Sequence, residues 1–192
     1  MRDGRAETMT ADVHIWWLGA DAPDVGLLDA LRSAIHAVFG VSVRIDHRPD
    51  RPTDAFDPRR GQHSSTQILK WLVGRSPGSS RMLAVTDVDL FIPVLTFVFG
   101  EAQLGGDAAV VSTARLATGL DGAPSRALFD SRVVKECVHE LGHTYGLIHC
   151  DSGVCVMSRS VNLIDVDAKH PALCADCEAR YRALHRKGNH HE

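Results

Sequence analysis

Between positions 139 and 149 the chain carries His139, Glu140, His143, Gly146 and His149 at the spacing HExxHxxGxxH, and Cys150 follows directly. On a helix, His139 and His143 sit one turn apart and project from one face, so both imidazoles can reach a single metal ion. Glu140 is offset by about 100° from His139, near enough to exchange a proton with a water on that metal without being a ligand. Gly146 permits a left-handed backbone that ends the helix, and the chain then turns back to bring in His149 as a third ligand. Three protein ligands leave a fourth position open for water, the ligand count of a catalytic zinc. With 11 His and 6 Glu among 192 residues, HExxH alone arises about 0.02 times per shuffled chain and the longer pattern about 0.0001 times, so the longer pattern carries the reading.

A second constellation starts on the next residue. Cys150 and Cys155, then Cys174 and Cys177 in a CxxC pair, are four thiols in two close pairs. That is the ligand pattern of a closed, tetrahedral, structural zinc site. Two disulfides, or buried cysteines acting as small apolar side chains, would use the same residues. The first ten residues contain no apolar run of the kind that opens a secretory signal. A cytoplasmic chain with reduced thiols is therefore expected, which favours zinc over disulfides. Cys137, two residues before His139, turns away from the metal face and is expected to be a core thiol.

These residues together resemble the archaemetzincins, a metzincin subgroup with a catalytic three-histidine zinc and an adjoining four-cysteine zinc. The shared pattern runs from Lys135 to Cys177 and includes the Cys155-Val156-Met157 triplet. The resemblance implies catalytic zinc on His139, His143 and His149, with Glu140 as general base. It further implies structural zinc on Cys150, Cys155, Cys174 and Cys177, and a Met-turn at Met157. Where metzincins such as astacins carry a tyrosine two residues after that methionine, this chain has Arg159.

The elements that must position these side chains are legible upstream. Residues 13–18 read as a first strand, and Leu27, Leu31, Ile35 and Phe39 repeat at helical spacing up to Gly40. Val41, Val43 and Ile45 alternate as a second strand, and the proline-rich stretch 49–58 reads as a surface loop. A second helix is expected over 64–73, with strands over 81–86, 95–99 and 108–112. The helix bearing the metal motif begins near Ser125 and is expected to bury Leu128, Val133, Val134 and Leu141. This order predicts a layered α/β domain with a twisted, mostly parallel five-stranded sheet, a backing helix and an active-site helix. After Gly146 one further helix, 177–186, is expected in a small C-terminal subdomain held by zinc. The whole, residues 1–192, reads as one catalytic domain, with an upper part at about 11–146 and a lower part at 147–192.

A formal net charge of −3 gives no basic footprint for nucleic acid. No stretch approaches the roughly 20 apolar residues that span a membrane. A monomer acting on a peptide or small protein is expected. Asp87 and Asp89 read as turn or cap residues at a strand end. Phe97, Phe99 and Glu101 are candidates for an edge against which an extended peptide pairs. His14, His36, His47 and His63 are expected to be structural or solvent-facing, and His185, His190 and His191 to belong to a polar tail. The reading reached is a zinc peptidase with two zinc ions. Two others fit the same residues: a zinc-stabilised peptide-binding module with little turnover, and a zinc hydrolase of a non-protein amide.

Overall fold

The computed structural model of the chain describes residues 12–75, 80–119 and 122–185. Strand β1 is Val13–Trp17, buried along its whole length. Helix α1, Val25–Phe39, starts where the Asp24 carboxylate accepts from the Gly26 N–H and stops at Gly40, whose φ is 69°. Strand β2 is Val43–His47. The loop after it carries two short strands, β3 at Phe56–Asp57 and β4 at Gln62–Ser64, before helix α2 at Ser65–Val73. Strands β5 (Arg81–Thr86), β6 (Leu90–Phe91), β7 (Gly100–Ala102) and β8 (Ala108–Ser112) follow. Helix α3 is Arg126–Thr144, α4 is Leu163–Ala168 and α5 is Ala175–His185.

The main sheet has the order β2-β1-β5-β8-β7. Its first four strands are parallel, and β7 alone runs antiparallel, Glu101 opposite Val110. Parallel strands are covered on both faces, which is why β1, β5 and β8 read as near-continuous apolar runs. Val13, Ile15, Trp17, Leu83, Val85, Ala109 and Val111 face one core, shared with Leu27, Leu31, Ile35 and Phe39 of α1 and with Val133, Val138 and Leu141 of α3. The alternate residues Trp16, Met82, Ala84, Ala108 and Val110 face a second core with Ile68, Leu69 and Leu72 of α2. Each such large side chain, once fully buried, contributes roughly 1.5–3 kcal/mol. The smaller sheet, β3-β4-β6, is not among the expected elements; its strand β3 lies in the stretch 49–58 read as a surface loop.

Two expectations need correction. Residues 95–99 do not form a strand; Val98 makes a single bridge to Leu90, and the pairing with β8 begins only at Gly100. The chain is still turning after Pro93, with Leu95 N–H donating to the Ile92 carbonyl, so the apolar run is spent on lining a cavity. Leu128 is exposed, in the first turn of α3, where it lines a surface cavity with Leu163 and Ile164 instead of entering the core. The lower part holds an additional helix, α4, opened by a capping box in which Asn162 and Asp165 satisfy each other's backbone N–H groups. His190 and His191 lie outside the described residues.

Candidate metal centre

The metal motif occupies the last turn and a half of α3 and the turn beyond it. Ser125 caps the start of this helix, and its end is closed by a double turn around Gly146. There the Gly146 N–H donates to the His143 carbonyl and the Leu147 N–H to the Gly142 carbonyl. Gly146 has φ 86°, the left-handed conformation expected of it. The reversal carries His149 back over the helix end, so that ligand atoms of His139, His143 and His149 lie within 4.8 Å of one another.

The hydrogen bonds of the rings fix their tautomers. His139 Nδ1 lies 2.7 Å from the Val156 carbonyl and His143 Nδ1 lies 2.7 Å from the Leu147 carbonyl. A carbonyl only accepts, so both Nδ1 atoms carry the proton and both neutral rings present bare Nε2 lone pairs. Those two Nε2 atoms face each other at 3.1 Å. Lone pairs so placed repel unless a cation sits between them, and a tetrahedral zinc with bonds of about 2.05 Å would set its nitrogens about 3.3 Å apart. The residues present fit a zinc ion. Burial, more than any neighbour, lowers the proton affinity of all three histidines, most of all that of His139. They therefore stay neutral and able to ligate near pH 7.

The four cysteine sulfurs also lie within 4.8 Å of one another. Cys150 Sγ and Cys174 Sγ are 3.8 Å apart, far beyond a bond of about 2.05 Å. About 3.8 Å is the edge of a tetrahedron whose centre is a zinc at 2.3 Å. All are free thiols, so the disulfide alternative falls away. The Ser152 N–H donates to Cys150 Sγ and the Cys174 N–H to Cys155 Sγ, bonds that support negatively charged sulfur. Cys137 is fully buried among apolar side chains, and burial pushes its thiol far up. It is a core residue.

The two groups share backbone. The Cys150 N–H donates to the Met157 carbonyl at 2.9 Å, and the Val156 carbonyl holds His139. Met157 is buried beneath the histidines against Gly142, where an added Cβ would lie 2.4 Å from its sulfur. Gly142 thus makes the room that the methionine fills. A glycine inside a helix costs about 1 kcal/mol against alanine, and close packing is its reason here.

Glu140 is buried beside the histidines, and burial raises its carboxyl well above the ordinary range; Glu136 adds to this and Lys169 opposes it. Gly100, at the start of β7, gives it space, since a Cβ there would come within 2.6 Å of the carboxylate. Sequence reasoning missed Gly100, and also the charges that tie α3 to the lower part of the chain. Lys169 Nζ reaches Glu136 at 2.8 Å and the Ser158 carbonyl at 3.3 Å. Arg132 forks onto Asp167 with two bonds of 2.7 Å, and Lys135 donates to the Val166 and Asp167 carbonyls. These pairings span about thirty positions and leave no local signal.

A cavity of about 520 Å³ opens over the centre, lined by Phe97, Phe99, Gly100, Glu136, His139, Glu140, His149 and Arg159 among others. One of its walls leads into β7, the edge strand, whose outer side has no partner strand among the described residues. Glu101 lines an adjoining pocket with His139, Glu140, His143 and His149. Its carboxylate accepts from Ser65 Oγ at 2.5 Å and from Thr66 Oγ1, at the start of α2. Asp87 pairs with Arg51, and Asp89 takes a two-bond fork from Arg115 at 2.7 Å, so both are structural. His14, His36, His47 and His63 stay apart from the three-histidine group.

Histidine nitrogens bared toward one point, a buried glutamate beside them and a free sheet edge alongside make a zinc metallopeptidase, and comparison with known proteins agrees on that class. Residues 77–183 match the model of peptidase family M54. The chain belongs to this family, the archaemetzincins. It is 46% identical over 142 residues to the archaemetzincin of Methanopyrus kandleri, covering 73% of this chain and 78% of that one. Its fold superposes on the crystal structure of archaemetzincin from Methanopyrus kandleri with a TM-score of 0.79 at 35% identity, over 91% of this chain and 96% of the other. It is also similar to the archaemetzincin of Archaeoglobus fulgidus crystallised with malonate, with a TM-score of 0.72 at 34% identity, over 88% of this chain and 98% of that one.

Proposed function

We propose that the chain hydrolyses peptide bonds with Glu140 as general base, beside a catalytic zinc on His139, His143 and His149. A structural zinc sits on Cys150, Cys155, Cys174 and Cys177. The observation that carries this reading is the juxtaposition of two bare Nε2 atoms at 3.1 Å with a buried carboxylate, the three residues lining one pocket. Zinc supplies Lewis-acid polarisation of the scissile carbonyl and acidifies the attacking water. The protein residues do the rest. An extended substrate lies along the open edge of β7 and gains main-chain hydrogen bonds there, with Phe97 and Phe99 flanking it. Glu140 accepts a proton from the attacking water on a carboxylate oxygen and passes it to the leaving amine. Burial raises the proton affinity of that carboxyl well above the ordinary range, and a dication held by the histidines would oppose this and favour the carboxylate that accepts a proton. We read the chain as one catalytic domain, with residues 11–146 above the cleft and 147–192 below it. No helix among the described residues is long and apolar enough to cross a membrane.

The test is Glu140→Gln in the zinc-loaded protein. Two zinc equivalents are retained and peptide turnover falls on the order of 10²–10⁴-fold, the usual worth of a general base. Unchanged turnover in a pure sample would overturn the role of Glu140.

A further inference from the structure

The cavity over the metal centre contains one cation that the chemistry described so far does not use. Arg159 lines it together with His149, Glu136 and Glu140. The other charges around the site are spoken for. Lys169 is bound to Glu136 and the Ser158 carbonyl, and Arg115, in the adjoining cavity, is held in a fork by Asp89. Arg159, in contrast, is exposed and has neither a hydrogen bond nor an ion pair with any described residue.

Its backbone is anchored while its side chain is free. Met157 O accepts from Cys150 N–H, Ser158 N–H donates to the Cys155 carbonyl, and Lys169 grips the Ser158 carbonyl. The guanidinium is thus carried on a pinned segment at the mouth of a cavity whose rim also includes exposed Leu95 and Val161. An arginine that meets no carboxylate among the described residues, at the entrance to a site for peptides, presents a planar fork of donors matched to a carboxylate.

We propose that Arg159 is a specificity residue that binds a carboxylate of the substrate close to the scissile bond. The carboxylate is either the peptide's own C-terminus or an acidic side chain. The inference rests on the peptidase reading above and deepens it, since it names the chemistry of the peptide. Glu136, the other carboxylate in the cavity besides Glu140, is neutralised by Lys169 and does not compete for the guanidinium.

The test separates binding from turnover by using zinc-loaded Glu140→Gln protein and fluorescent peptides in matched sets. One set differs only in a free or amidated C-terminus, the other only in Glu or Gln at each position flanking the bond. Carboxylate-bearing peptides bind about 10- to 100-fold more tightly than their neutral partners, the usual range for a charge-assisted fork. Adding Arg159→Met abolishes the difference, Arg159→Lys restores part of it, and Arg159→Glu turns it toward Lys- or Arg-bearing peptides. The set that discriminates identifies the source of the carboxylate. With Glu140 restored, Arg159→Met raises KM for the preferred peptides and leaves kcat unchanged. Equal binding of charged and neutral peptides by the Arg159 parent, or discrimination that survives in Arg159→Met, would overturn the proposal. So would a fall in kcat at constant KM, which would place the guanidinium at the reacting carbonyl. If wild-type protein cleaves nothing while the Arg159-dependent discrimination holds, the carboxylate site stands and the peptidase mechanism falls.

Discussion

Replacing Lys169 with methionine keeps most of the apolar stem but leaves Glu136 without its partner in a site where the two side chains are 1% and 3% exposed. The ammonium and carboxylate are 2.8 Å apart, and the same ammonium holds the Ser158 carbonyl. Breaking a buried pair from one side costs about 3–5 kcal/mol, because the remaining charge stays out of water. The lost bond to Ser158 adds about 1 kcal/mol. A chain of this size loses about 2–4 °C per kcal/mol, so the pair alone is worth a fall of roughly 6–20 °C in Tm. Glu136→Gln, which strands the ammonium instead, has a similar cost. The double variant, lacking both charges, is less destabilised than the sum of the two, by about 2 kcal/mol or more. Urea unfolding of the zinc-loaded single and double variants gives the four corners of the cycle. Since Ser158 follows Met157, the single variants also bind zinc less tightly at the three histidines. Additive losses, or a cost for Lys169→Met below about 1 kcal/mol, would refute the view that this pair fastens the helix to the methionine turn.

Gly142→Ala reverses the usual gain of alanine over glycine in a helix: the clash with Met157 makes the variant about 1–3 kcal/mol less stable by thermal unfolding. In a Met157→Ala background the same change becomes neutral or stabilising, and a loss that persists there would show the methionine to be irrelevant. Cys177→Ser weakens the four-thiolate zinc and, through the bond from Cys150 to Met157, lowers zinc affinity at the histidines as well; retained wild-type affinity in a competition titration would show the sites to be independent. In metal-free protein the proton affinities of His139, His143 and His149 lie below the unfolded value of about 6.5, so at lower pH the unfolded chain binds more protons than the folded one. The stability owed to these neutral rings is complete above pH 6.5 and is lost as pH falls through the window beneath it, whereas the raised carboxyl of Glu140 acts in the opposite sense; a series of urea midpoints from pH 7.5 to 5 on metal-free Glu140→Gln protein reads the histidines alone, and midpoints that rose on acidification there would contradict the shifts.

What the sequence disclosed follows from where its signals are local. The three histidines at 139, 143 and 149 announce themselves as a group because a helix and a glycine turn fix their geometry within eleven residues. Residues 81–86 and 108–112 are legible as strands because a buried parallel strand leaves little but apolar side chains. Residues 95–99 carry the same composition, yet the ladder with β8 forms on Gly100, Glu101 and Ala102, which have little preference for strands. There the tertiary partner overrides propensity. The capping box at Asn162 and Asp165 was a local signal for α4 that a pattern of only six helical residues obscures. The space Gly100 leaves for Glu140, and the grip of Lys169 on Glu136, depend on segments about thirty to forty positions apart and have no counterpart along the chain.

The peptide bond joining His149 to Cys150 belongs at once to both groups able to hold a metal, with no spacer between the histidine of one and the cysteine of the other. One inserted residue there would shift one ligand set against the other by up to about 3.8 Å, against a tolerance of about 0.2 Å in a metal's bond lengths. Loops elsewhere in the lower part can lengthen or shorten between lineages at small entropic cost, but this junction cannot. On the two-zinc reading proposed above, the two sites are therefore geometrically one unit, so that a chain losing its thiolates would have to rebuild the support of its third histidine at the same time.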